Sequence, residues 1–97
     1  MVLSNIHRQD DLRACGATTI VTGQSTVSIG GKLIAVEGDK NTDGAGDLIA
    51  SGSTITISGK KIIVQGDSAS PDSKCLTLHG AHCAPSATTG SATVQAY

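Results

Sequence analysis

The chain contains no tryptophan and no phenylalanine, and its single tyrosine is the last of 97 residues. Aromatic rings usually supply much of a small core, so a core here must come from valine, isoleucine, leucine and alanine. Nothing approaches the roughly 18 consecutive apolar residues of a membrane-spanning helix. Charge is sparse as well, at 15% of residues with a net charge of -1, which leaves no basic footprint for nucleic acid. The opening residues Met1 to Arg8 lack the apolar stretch of a secretory signal. That predicts synthesis in the cytoplasm, where cysteines are thiols or metal ligands more often than disulfides. A chain of this size buries only roughly 60–65% of its unfolded surface, so a thin aliphatic core calls for a staple: a disulfide, a metal or a partner. What is abundant is small and polar. Twelve glycines, with serine and threonine, favour turns and strands over helices. No window shows a 3.6-residue period, and the expected class is all-β.

The most informative feature is self-similarity. Residues Ser25 to Asp39 read onto Ser53 to Asp67, 28 positions further on. A third copy starts at Gly90 and runs to Ala96, and its second half stands at the other terminus, where Asn5 to Asp11 aligns with Leu33 to Asp39. The repeat is thus circularly permuted within one domain, 1–97, with units at about 12–39, 40–67, and 68–97 completed by 1–11. In each unit a strand alternates polar and apolar residues, as in Thr26-Val27-Ser28-Ile29 and Thr54-Ile55-Thr56-Ile57. Gly30-Gly31 and Ser58-Gly59 are two-residue hairpin turns. The runs Leu33 to Glu37 and Lys61 to Gln65 are nearly continuous apolar or β-branched stretches that predict burial on both faces. Gly38-Asp39 and Gly66-Asp67 end them, with the aspartates as turn-capping residues. Three like hairpin repeats predict approximate three-fold symmetry inside one chain, a shape that can seat on the end of a true trimer and cover its own strand edges there.

Potential metal ligands crowd the longest loop, where Cys75, His79, His82 and Cys83 fall within nine residues. Thiolate and neutral imidazole are the usual zinc ligands, although mixed thiolate–imidazole sites also take iron. Cys15 occupies the corresponding loop of another unit. Four ligands from the set Cys15, Cys75, His79, His82 and Cys83 would hold one structural ion, zinc for preference, and supply the missing staple. A disulfide between Cys75 and Cys83, favoured after export, is the alternative use of that pair. The middle loop, Lys40 to Asp47, has no cysteine or histidine and is expected to contribute nothing. His7 falls where the other units have Ala35 and Ile63, and reads as a strand side chain. Asp72 reads as a turn residue after Pro71. No Ser-His-Asp set, paired carboxylates or phosphate-cradling glycine loop is present, and Gly44-Ala45-Gly46 precedes no helix. The chain is therefore expected not to be an enzyme.

Thr26-Val27-Ser28-Ile29-Gly30-Gly31-Lys32 with Gly38-Asp39, and Thr54 to Lys60 with Gly66-Asp67, resemble the frame of the PAAR-repeat proteins. Asp11-Leu12-Arg13-Ala14-Cys15-Gly16 is similar to the Gly-Asp-x-x-x-Cys-Gly segment of that family. The namesake four-residue motif departs from the pattern, with Leu33-Ile34-Ala35-Val36, Lys61-Ile62-Ile63-Val64 and Asn5-Ile6-His7-Arg8 in its place. The resemblance implies a small pseudo-three-fold cone with a metal ion near its apex. It further implies a base seated on the trimeric β-helical spike of a contractile phage tail or type VI secretion machine, one copy per trimer. Such a tip sharpens the spike and meets the target cell's outer membrane during injection; it needs no nucleic acid or small-molecule substrate. The short chain is most similar to the small family members of phage tail spikes and is expected to carry no appended effector. The alternative is a metal-binding adaptor that attaches cargo or effector proteins to a secretion spike.

Overall fold

The computed structural model describes residues 4–50, 54–78, 80–91 and 94–96. Turns recur so often that the regular elements are short. In chain order they are β1 (Ser4–Asn5), β2 (Thr19–Ile20), β3 (Ser28–Ile29), β4 (Lys32–Leu33), β5 (Lys40–Asn41), β6 (Thr56–Ile57) and β7 (Lys60–Lys61). A single-turn helix, α1 (Cys75–Leu78), a 3-10 turn over Gly80–Cys83 and β8 (Gln95–Ala96) follow. The class is all-β, with small antiparallel hairpins and one helical excursion that is too short to leave a periodic signal in sequence.

Both glycine turns form hairpins. β3 pairs with β4, placing Ile29 opposite Lys32 across Gly30 (φ 60°) and Gly31 (φ 82°). β6 pairs with β7 in the same register across Ser58 (φ 54°) and Gly59 (φ 81°). Two successive positive φ values define the turn whose twist matches its flanking strands. β1 pairs with β8, joining Asn5 to Gln95 and Ser4 to Ala96, while β2 pairs with β5.

Three segments, 6–8, 34–36 and 62–64, close a circuit on one another. His7 N donates to Ile63 O (2.9 Å), Ile63 N to Ala35 O (3.0 Å), and Ala35 N to His7 O (3.0 Å). Antiparallel bridges Ile6–Val64, Arg8–Ile34 and Val36–Ile62 run round the same circuit. Side chains alternate across it, as the two-residue period of extended chain requires. Ile6, Ile34, Val36, Ile62 and Val64 form one buried cluster, with Ile29 and Ile57 against it. Ala35 and Ile63 belong to a second cluster with Val21, Leu48, Ala69 and Ala87. Of the runs expected to be buried on both faces, the middle residues Ile34 to Val36 and Ile62 to Val64 are buried, whereas Lys61 and Gln65 at the ends of the second run are exposed. The two apolar clusters are aliphatic.

Each segment ends in the same turn. Asp11 N donates to Arg8 O (3.1 Å), Asp39 N to Val36 O (3.2 Å) and Asp67 N to Val64 O (3.1 Å). In return each carboxylate Oδ2 accepts from the backbone N–H three residues earlier: Arg8 (2.8 Å), Val36 (2.9 Å) and Val64 (3.0 Å). Asp39 Oδ1 also accepts from Thr22 N and Gly23 N. Turn capping is thus what these aspartates do; a buried acceptor saturated with N–H donors is satisfied where a bare carboxylate would be costly.

His7 is fully buried within this framework. Its Nδ1 lies 2.6 Å from Thr89 O, and a carbonyl only accepts, so Nδ1 carries the hydrogen. Nε2 then accepts from the Thr19 hydroxyl at 2.6 Å, and Thr19 Oγ1 accepts from Arg13 Nε at 2.6 Å. Every donor in this chain has one direction. Burial holds the His7 imidazolium below its ordinary pKa, against smaller opposing pulls from Thr89 O and Asp11.

Candidate metal centre

Three loops deliver four titratable side chains to a common point, with Cys15 from the first, Asp43 from the middle one, and Asp72 and His82 from the last. Cys15 stands in a turn closed by Gly16 N donating to Arg13 O (3.0 Å), with Gly16 at φ 90°. Asp43 stands in the turn after β5, where Asn41 Oδ1 accepts from Asp43 N (3.0 Å) and Gly44 N donates to Asn41 O (3.1 Å). Asp72 caps the entry to α1 by accepting Lys74 N at Oδ1 (2.9 Å). His82 lies in the 3-10 turn, its backbone O accepting from Asp72 N at 2.8 Å. A Ser73 N to Gly44 O bond (3.0 Å) and an Ala45–Asp72 bridge stitch the middle and last loops together.

The ligand atoms of Cys15, Asp43, Asp72 and His82 all lie within 4.8 Å of one another. His82 Nδ1 sits 3.1 Å from Asp72 Oδ2 and 3.5 Å from Asp43 Oδ2. Asn41 Nδ2 donates to Asp72 Oδ2 at 3.2 Å and approaches Cys15 Sγ at 3.9 Å. Lys74 Nζ pairs with Asp43 Oδ1 at 3.0 Å on the outer side. Burial pushes the Cys15 thiol up, and the Asp72 and Asp43 carboxylates push it the same way. Burial also raises Asp72, but His82, Lys74 N and Asn41 outweigh it and hold the carboxyl below its ordinary value. Two carboxylates beside a half-buried thiol leave the cluster rich in potential anions, a setting in which a bound cation would favour the thiolate.

Arg13 props the loops from beneath. The residue is 2% exposed, and its guanidinium donates through Nη1 to Gly46 O (2.9 Å) and Pro85 O (3.0 Å), and through Nη2 to Asp39 O (3.3 Å). One side chain therefore gathers carbonyls from three separate loops in the fork geometry that guanidinium imposes. Burial lowers its pKa to about 10, with Cys15 and Asp39 opposing the shift, so it stays charged at neutral pH.

This geometry divides the expected ligands. Cys15 and His82 are brought together. Cys75 and Cys83 are not free: they form a disulfide, with a Cα–Cα separation of 4.7 Å, which corrects their reading as thiolates. The chain turns back through α1 and Gly80 (φ 61°), and that reversal puts the two sulfurs within bonding reach. His79 lies outside the described residues. Asp43 and Asp72 were missed. The middle loop, expected to add nothing, supplies Asp43, and the supposed turn residue Asp72 is a ligand candidate as well as a cap. A search limited to cysteine and histidine passes over both, since carboxylates also ligate zinc but are common in turns. His7 stays out of the cluster.

Four donors of this kind could hold one metal ion. A tetrahedral zinc with bonds of about 2.0–2.3 Å separates its ligand atoms by roughly 3.3–3.8 Å. The widest separation allowed within the observed cluster, 4.8 Å, exceeds that spacing by about 1 Å. No protein-family model and no curated protein matches this chain.

Proposed function

We propose that this chain is a non-enzymatic tip that caps the trimeric β-helical spike of a contractile injection machine, a phage tail or a type VI secretion apparatus, with one copy per spike trimer. The observation that carries this reading is the closed circuit of His7, Ala35 and Ile63, in which three segments of one chain donate and accept in rotation. The sequence repeat assigns those three residues to the same position of three units, and the Asp11, Asp39 and Asp67 caps recur at matching positions. This is what a pseudo-three-fold PAAR-like cone requires.

The contact face follows from the same correspondence. Val27, Ile55 and Val94 occupy one position of the three units, and their carbonyls accept in turn from Ile34 N (3.1 Å), Ile62 N (3.0 Å) and Ile6 N (3.1 Å). All three side chains are exposed, at 40%, 49% and 38%. Three apolar side chains related in this way offer like contacts to three identical chains. Cys15, Asp43, Asp72 and His82 would hold a single metal ion in the loops. Zinc is the ion assigned, and iron is the second that these donors admit. With four protein ligands the shell has no position open to substrate, which supports a structural role. The ion adds cross-linking between loops; the protein's own residues shape the tip that meets the target outer membrane.

Co-purification with a trimeric β-helical spike fragment tests the reading. One copy per three spike chains is expected, and changing Val27, Ile55 and Val94 together to aspartate is expected to abolish capture while the metal still binds. Three copies per trimer, or undiminished capture by the triple variant, would overturn it.

A further inference from the structure

The disulfide borders the metal centre on both sides. Cys75 is three residues beyond Asp72 and donates its N–H to Asp72 O at 3.1 Å. Cys83 is the neighbour of His82 in the 3-10 turn. The two half-cystines therefore flank the two cluster residues that the last loop contributes, and the Asp72 N to His82 O bond (2.8 Å) closes the base of the same loop. Neither α1 nor the 3-10 turn has a buried residue, so a reductant reaches the bond from solvent. With the bond closed, Cys15 is the free cysteine, and the donor set is one sulfur, one nitrogen and two carboxylates.

We propose that the Cys75–Cys83 bond is a redox switch that sets the ligand chemistry of this centre. The inference rests on the reading of the Cys15 cluster as a metal site. Closed, the bond leaves an oxygen-rich donor set suited to borderline cations. Opened, it releases two further sulfurs beside Asp72 and His82, and thiolates displace carboxylates because soft donors hold zinc and its neighbours more tightly. The step is a two-electron exchange with a dithiol. Its thiolate attacks one cystine sulfur to give a mixed disulfide, and its second thiol resolves this to a cyclic disulfide. Cys75 and Cys83 are left as thiols, whose protons pass to solvent when the sulfurs bind the ion. A chain loaded in a reducing compartment thus carries a sulfur-rich centre; exchange with a small-molecule disulfide, which is itself reduced to two thiols, closes the Cys75–Cys83 bond again and returns the oxygen-rich set.

Cobalt(II) binding by the full-length protein tests this, since thiolate–cobalt charge transfer in the near ultraviolet grows with the number of sulfurs bound. The oxidised protein is loaded directly. A second sample is reduced with a dithiol, freed of it under argon, and then loaded. Reduction is expected to raise the band about two- to threefold, the ratio of two or three thiolates to one. The double variant Cys75→Ser with Cys83→Ser is expected to give the one-sulfur spectrum under both conditions. An unchanged wild-type band overturns the switch and leaves the metal-site reading standing, and so does a rise that the double variant shares. Failure of cobalt to bind in either state overturns both. The wild-type comparison holds even if the double variant does not fold.

Discussion

The closed circuit of segments 6–8, 34–36 and 62–64 and the loop cluster around His82 are held by different physics. In the circuit, backbone bonds pass from segment to segment and aliphatic side chains fill both faces. The backbone contacts recur from segment to segment, and only His7 and Arg8 add side-chain polar bonds of their own. In the cluster the ties are side-chain bonds between unlike partners, and few large apolar groups are buried. Leu76 and Leu78 on α1 are 87% and 61% exposed. The lesson is that burial stabilises the circuit, whereas the loops depend on cross-links: Arg13, the disulfide and, in the proposed reading, a cation.

The strongest test of that contrast is a matched pair of truncations. Ile62 is 1% exposed, and Ile62→Ala is expected to cost about 2–5 kcal/mol and to lower the melting temperature by at least roughly 10 °C. Leu76→Ala, in the loops, is expected to stay within about 0.5 kcal/mol. Comparable losses in the two thermal melts would dissolve the distinction.

A cation should act on the other side. At a free concentration a hundredfold above Kd, zinc is expected to stabilise the native chain by about 2.7 kcal/mol and to slow hydrogen exchange chiefly within 72–83. His82→Ala should remove both effects without disturbing exchange at Ile34 to Val36. Zinc protection spread evenly over the circuit would show that the two regions are one cooperative unit.

The smallest effect belongs to the one buried polar member of the circuit, His7. The folded His7 titrates below the ordinary histidine value of about 6.5 because burial disfavours the imidazolium, while Thr89 O, Asp11 and Asp67 pull the other way and Arg13 adds to the depression. The unfolded chain therefore takes up this proton first. The contribution to stability is complete above pH 6.5 and is lost as pH falls below it, at a limiting slope of about 1.4 kcal/mol per pH unit for one proton. Denaturant titrations across that range should show a shallower slope in His7→Gln. An identical slope would place the acid sensitivity elsewhere.

How far each region could be read in advance follows the same division. The hairpin turns at Gly30-Gly31 and Ser58-Gly59, the buried runs and the capping roles of Asp39 and Asp67 were all legible, because each depends on residues within a few positions of one another. Cys15 and His82 were singled out by donor chemistry. Asp43 and Asp72 were not, since an aspartate in a turn looks the same whether or not another loop packs over it. Arg13 left no signal either; one arginine among few charges acquires its place only when three loop carbonyls surround it. The roles of Cys75 and Cys83 stayed open between ligand and disulfide, for spacing along the chain does not say which sulfur lies nearest.

Local order in this protein is thus written in period and turn chemistry: where strands run, which faces are apolar, and where each run must stop. Which loop tips meet was settled by the folded chain alone. Cys15, Asp43, Asp72 and His82 converge because the segments beneath them close into a circuit and Arg13 draws the loops inward. Donor distances within a few ångströms are a property of that assembly, and no stretch of sequence taken singly contains them.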